Sequence, residues 1–180
     1  PGDLRHTVPG AHAMDLGGRG DLGDLHAVYG AVRRPQRVDP GAADVVQALG
    51  SDLFDFVLAV VPAPIRRVYA VAGNLFGASV QRDTVTIIVR FWQDTIATLE
   101  LSHCLPAGIP APEQGEVEIE LTGSMDALRI EPWRSAVQVY SGGRVDLRPW
   151  VADPVGSMLE ELWDTHQGTP ARADYLAQQH

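Results

Sequence analysis

Between Asp39 and Pro64, apolar residues recur at helical spacing. Val45, Leu49, Leu53, Phe56 and Val60 line up as one stripe. That stripe predicts a single helix of about twenty residues packed on a core. Asp39-Pro40 supplies a side-chain cap and a proline where the N–H has no helical partner in any case. Pro62 and Pro64 end the helix, since proline lacks the N–H needed to continue it. Ala48, Ser51, Asp52 and Asp55 share the face turned away from the stripe.

Beyond Pro64 the period shortens to about two residues, the spacing of strands. Arg66–Phe76 reads as a strand, as does Leu25–Val32 before the helix. Thr84–Trp92 puts Val85, Ile87, Val89 and Phe91 on one side, Gln93-Asp94 turns the chain, and Thr95–Ser102 returns beside it. In Glu116–Leu121, Val117, Ile119 and Leu121 face inward and three glutamates outward. Short strands follow at Ala127–Ile130, Ala136–Tyr140 and Arg144–Leu147. A second helix is expected from Asp153 to about Gln167, with Met158, Leu159, Leu162 and Trp163 on one face. Ala11–Leu16 reads as a short helical turn, and Leu105–Gln114 as a proline-rich loop. Short turns make neighbouring strands antiparallel. The fold class is therefore α+β, with one open, mostly antiparallel β-sheet and helices packed on one face.

Composition narrows the chemistry. A chain of 180 residues, 45% hydrophobic and 21% charged, can build one domain with a core. A net charge of −9 argues against general nucleic-acid binding and against an anionic membrane surface. All 14 basic residues are arginine, so no lysine acid, base or Schiff base is available in this chain. Cys104 is the only cysteine. It cannot form an internal disulfide, which points to a reducing compartment, the cytoplasm, and it is expected to be a small buried residue. No run of apolar residues is long enough to span a bilayer. A start at Pro1 suggests a piece of a longer polypeptide.

Motifs add little at face value. Gly18-Arg19-Gly20-Asp21-Leu22-Gly23 matches G-x-G-x-x-G, but a dinucleotide fingerprint needs a strand before it and a helix after it. Here a polar stretch precedes and a strand follows, so no cofactor-binding residue is assigned. The six histidines form no metal-ligand spacing, and His103 and Cys104, as neighbours on a strand, point to opposite faces. No metal site is assigned, and no nucleophile elbow is present.

Several segments in order carry a resemblance. RGDLGDLHAVYG (Arg19–Gly30), ALGSDLFDFVLAVV (Ala48–Val61), VYAVAGNLF, DTVTIIVRFWQDTIATLELS, EVEIELTGSMDALRI and MLEELWDTHQGTP together resemble the C-terminal domain of the Gfo/Idh/MocA family of NAD(P)-dependent sugar and polyol oxidoreductases. The first resembles the family's G-x-[IL]-G turn feeding a strand, and the second its helix pattern D-x-G-x-H-x-x-D. The resemblance spans nearly all of residues 1–180 and implies one domain for substrate binding and dimerisation. It also implies a separate Rossmann domain, carrying NAD or NADP, which this chain lacks. Aligned on the helix pattern, the family aspartate falls at Ala48, the family histidine at Asp52, and the later acid at Asp55. Asp52 and Asp55 are the candidate catalytic residues so implied, although two polar positions of the usual helix are changed.

The expected function is a substrate-binding and oligomerisation domain of an oxidoreductase acting on a sugar or polyol, inactive by itself. Its expected assembly is a homodimer or tetramer through the sheet face. The alternative is a non-catalytic sugar-binding or dimerising module with a degenerate active site, motivated by Ala48 and Asp52. Acids on a helix face ordinarily just meet water, and that reading stands beside both.

Overall fold

The structure is a computed structural model that describes residues 4–35, 44–75, 82–105, 115–131, 136–141 and 144–149. Its elements run α1 (Val8–Arg19), β1 (Leu25–Pro35), α2 (Val45–Val60), β2 (Ile65–Gly73), β3 (Thr84–Phe91), β4 (Ile96–Leu105), β5 (Glu116–Gly123), β6 (Ala127–Glu131), β7 (Ala136–Ser141) and β8 (Arg144–Pro149). The strands form one eight-stranded sheet in the order β2-β3-β4-β1-β5-β6-β7-β8. Among the described residues only β1 and β4 run parallel, with Ala27 beside Ile96 and Tyr29 beside Thr98. Every other pairing is antiparallel. The expected architecture, an open and mostly antiparallel α+β sheet, is what the chain forms.

The core lies between the sheet and the two helices. Leu49, Leu53, Phe56, Val57 and Val60 of α2 meet Val85, Ile87, Val89, Leu99 and Leu101 of β3 and β4 and Val28 and Val32 of β1. Each large apolar side chain so buried contributes about 1.5–3 kcal/mol. At Gly30 the Leu53 side chain of α2 packs directly on the β1 backbone. A Cβ there would lie 2.6 Å from Cδ1 of Leu53.

Two elements differ from expectation. The helix starts at Val45, and its cap is Asp44, whose carboxylate accepts the Val46 N–H at 3.0 Å. Asp39 and Pro40 lie outside the described residues. Both aspartates can cap, and the periodic stripe alone did not tell them apart. In place of a short turn at Ala11–Leu16, α1 spans twelve residues. Thr7 caps it, its hydroxyl accepting the Gly10 N–H, and Gly20 ends it in the left-handed region at φ 78°. Caps supplied the boundaries that a glycine-rich, weakly periodic segment did not show.

β2 ends at Gly73 rather than Phe76, which lies outside the described residues, and the turn at Gln93-Asp94 forms as expected, with Asp94 at φ 62°. Cys104 is half-buried rather than buried. The helix expected at Asp153–Gln167 and residues 106–114 of the proline-rich loop lie outside the described residues. Among the described residues no helix is long and apolar enough to cross a membrane.

Candidate functional site

The polar face of α2 is the first candidate. Because the stripe pins α2 to the sheet, the opposite face is turned away from the core. Ala48 and Ser51 are exposed there, and Asp52 and Asp55 are half-buried. The Ser51 hydroxyl donates to Oδ1 of Asp52 at 3.2 Å. Asp55 is engaged from another element: Nε of Arg5 lies 2.5 Å from its Oδ2. The structure therefore brings both sequence-predicted acids to one face and adds Arg5, which the sequence reading did not single out. Two carboxylates, a hydroxyl and a guanidinium can accept and donate hydrogen bonds to a polyhydroxylated ligand. Ala48 can do neither.

The glycine motif has a different job. Gly20 caps the C-terminus of α1, and a strand follows. Such a helix end presents carbonyl groups rather than the N–H groups that hold a pyrophosphate. These residues do not fit a dinucleotide. Among the described residues, no group of three or more His, Cys, Asp or Glu side chains could hold a metal ion.

A second polar constellation lies on the sheet face opposite the helices, and sequence reasoning missed it. Tyr29 donates its hydroxyl to Oε2 of Glu100 at 2.7 Å. Nη2 of Arg33 donates to that same oxygen at 2.7 Å and to the Tyr29 hydroxyl at 2.9 Å. Arg129 pairs with Glu118 at 2.5 Å, and Arg33 lies 3.6 Å from Glu116. The Tyr29 hydrogen bond, reinforced by Arg33 against the opposing effect of burial, holds the Glu100 carboxyl below its ordinary range. Burial and the same hydrogen bond push the Tyr29 phenol up. Glu116 and Glu118 on the outward side of β5 are thus partnered rather than merely solvated. Alternate positions 29 and 33 on a strand share a face, which was legible; their meeting with Glu100 required the parallel β1–β4 pairing, which was not.

Toward the β2 edge the same face turns apolar. Tyr69, Val71, Ile88, Trp92 and Ile96 are exposed, Val71 at 78% and Trp92 at 62%. The Arg66 guanidinium stacks 5.0 Å from the Trp92 ring centre.

Comparison with known proteins fits this architecture. The GFO/IDH/MocA C-terminal domain family matches residues 11–129. The chain belongs to that family. Three solved structures show the same fold. An oxidoreductase from Agrobacterium radiobacter, in complex with NAD+, L-tartaric acid and magnesium, is 13% identical with a TM-score of 0.76, over 96% of this chain and 56% of that one. UDP-N-acetylglucosamine 3-dehydrogenase from Acidithiobacillus ferrooxidans is 14% identical with a TM-score of 0.77, over 94% and 53%. An inositol dehydrogenase homolog from Azotobacter vinelandii, complexed with NADH and myo-inositol, is 15% identical with a TM-score of 0.69, over 87% and 44%. The chain spans about half the length of the solved proteins it matches. No curated protein matches it.

Proposed function

We propose that this chain is the substrate-binding and oligomerisation domain of an NAD(P)-dependent oxidoreductase acting on a sugar or polyol. The observation that supports this most is the acid face of α2. The helix of a GFO/IDH/MocA C-terminal domain here presents Asp52 and Asp55 away from the core, on the segment resembling the family's catalytic helix. Nicotinamide chemistry is assigned to a domain outside these residues, because the chain's own glycine motif closes a helix instead of opening one. Asp52 accepts a hydrogen bond from a substrate hydroxyl, oriented in part by Ser51. Tyr69, Val71, Ile88 and Trp92 form an apolar patch suited to a second copy of the sheet.

The test is turnover by the native polypeptide containing this chain. Probes are myo-inositol, L-tartrate and UDP-N-acetylglucosamine with NAD or NADP. Asp52→Ala is expected to lower kcat/KM by more than about tenfold, a modest acid–base contribution. Unchanged kinetics would remove Asp52 from the mechanism.

The second reading is a non-catalytic sugar-binding or dimerising module. Ala48 favours it: an exposed methyl stands where the family helix pattern carries an aspartate. Cofactor binding by the native polypeptide without turnover of any of the three probes would support this reading.

A further inference from the structure

Asp52 and Asp55 look equivalent on the helix, since they share a face and differ by one turn. Their surroundings are not equivalent. Asp55 meets Arg5, and Arg5 sits on a turn that is fixed at both ends. Leu4 and Thr7, on either side of it, are 3% and 0% exposed. Thr7 donates its hydroxyl to the Leu4 carbonyl at 2.9 Å and accepts the Gly10 N–H at 3.0 Å. The turn also lies so close to α1 that a Cβ on Gly10 would come within 1.8 Å of the Leu4 carbonyl oxygen. A side chain leaving this turn therefore starts from a fixed place.

The ion pair itself is poorly suited to stabilising the fold. The Arg5 and Asp55 side chains are 33% and 42% exposed. Pairs so open to solvent add little stability, because screening and lost side-chain freedom offset the attraction. A weak pair built from a pinned turn is better explained by orientation than by stability.

We infer that Arg5 is a positioning residue, which holds Asp55 as its counter-ion and so fixes the acid face of α2, leaving contact with the substrate to Asp52. This inference rests on the proposed function and divides the two acids it names. Asp55 neutralises a cation and takes no proton from substrate. Arg5 offsets the negative charge of Asp55, so an electron-rich sugar or polyol approaches a face carrying less net charge. The contact runs from Nε of Arg5 to one carboxylate oxygen of Asp55, a position that the flexible ammonium of a lysine reaches only in part.

The experiment uses the native polypeptide with its cofactor and the probes myo-inositol, L-tartrate and UDP-N-acetylglucosamine. Variants are Arg5→Ala, Arg5→Lys, Asp55→Ala and the Arg5→Ala/Asp55→Ala double. Each single alanine variant is expected to lower kcat about tenfold with KM changed less than about threefold, the pattern of a misplaced catalytic group. The double variant should be no worse than either single, because both remove one interaction. Arg5→Lys should recover part of the lost kcat. Melting temperature should shift by no more than about 2–4 °C in every variant, the scale of a weak surface pair.

Unchanged kcat in Arg5→Ala would overturn the inference while leaving the proposed function standing. So would losses that multiply in the double variant, or a kcat loss that follows the melting temperature and ignores Arg5→Lys. A wild type that turns over none of the three probes removes the proposed function, and this inference with it.

Discussion

Replacing Gly30 by alanine tests how tightly α2 is seated. The new methyl would lie 2.6 Å from Cδ1, 3.2 Å from Cδ2 and 3.3 Å from Cγ of Leu53. Carbon atoms in contact prefer about 3.5–4.0 Å, so the overlap with Cδ1 is about 1 Å. Leu53 is 0% exposed, so its side chain has little space to rotate away. Two effects oppose one another. Alanine in a strand gains about 0.5–1 kcal/mol over glycine through the unfolded chain. Overpacking a close-packed core costs about 1–3 kcal/mol. The net expectation is a loss of about 0–2.5 kcal/mol. Leu53→Ala alone should cost about 2–5 kcal/mol, because it leaves a cavity. The double Gly30→Ala/Leu53→Ala should cost clearly less than the sum, since the methyl at 30 enters the space that Leu53 vacates. Urea denaturation of all four proteins measures the cycle. A stabilising Gly30→Ala, or a double variant additive within about 0.5 kcal/mol, would refute the contact between β1 and α2.

Two further outcomes concern the outer sheet face. The Glu100 carboxyl is held low in the folded protein, chiefly by Tyr29, so it contributes stability above the ordinary carboxylate range and loses it as pH falls through the folded value. Melting temperature against pH should therefore flatten on its acid side in Glu100→Gln, and an acid limb identical to wild type would rule out this role. Sedimentation of the native polypeptide should show a dimer or larger species at micromolar concentration, which Val71→Arg weakens by placing charge in the apolar patch. A wild-type monomer under those conditions would reject the sheet-face assembly.

The parts of this fold legible in the sequence are those set by local periodicity. The α2 stripe, the inward alternation of β3 and the alternation of Val117, Ile119 and Leu121 in β5 all appear as read. The end of α2 was legible because proline leaves one choice there. Its start was not, because Asp39 and Asp44 offer the same cap chemistry. α1 was nearly hidden, since its glycines weaken the apolar pattern and its two caps carry the definition instead. The candidate site divides along the same line. Asp52 and Asp55 share a face by helix geometry alone. The Arg5–Asp55 pair and the Tyr29–Arg33–Glu100 cluster depend on where distant segments meet, and no spacing in the chain encodes that.

The central claim is that these residues form the substrate side of an oxidoreductase whose nicotinamide is held elsewhere. Calorimetric titration of NAD and NADP into the 180-residue chain and into the native polypeptide containing it tests this most directly. The account predicts binding by the native polypeptide and none by the chain alone. Micromolar binding of either cofactor by the chain alone would contradict it.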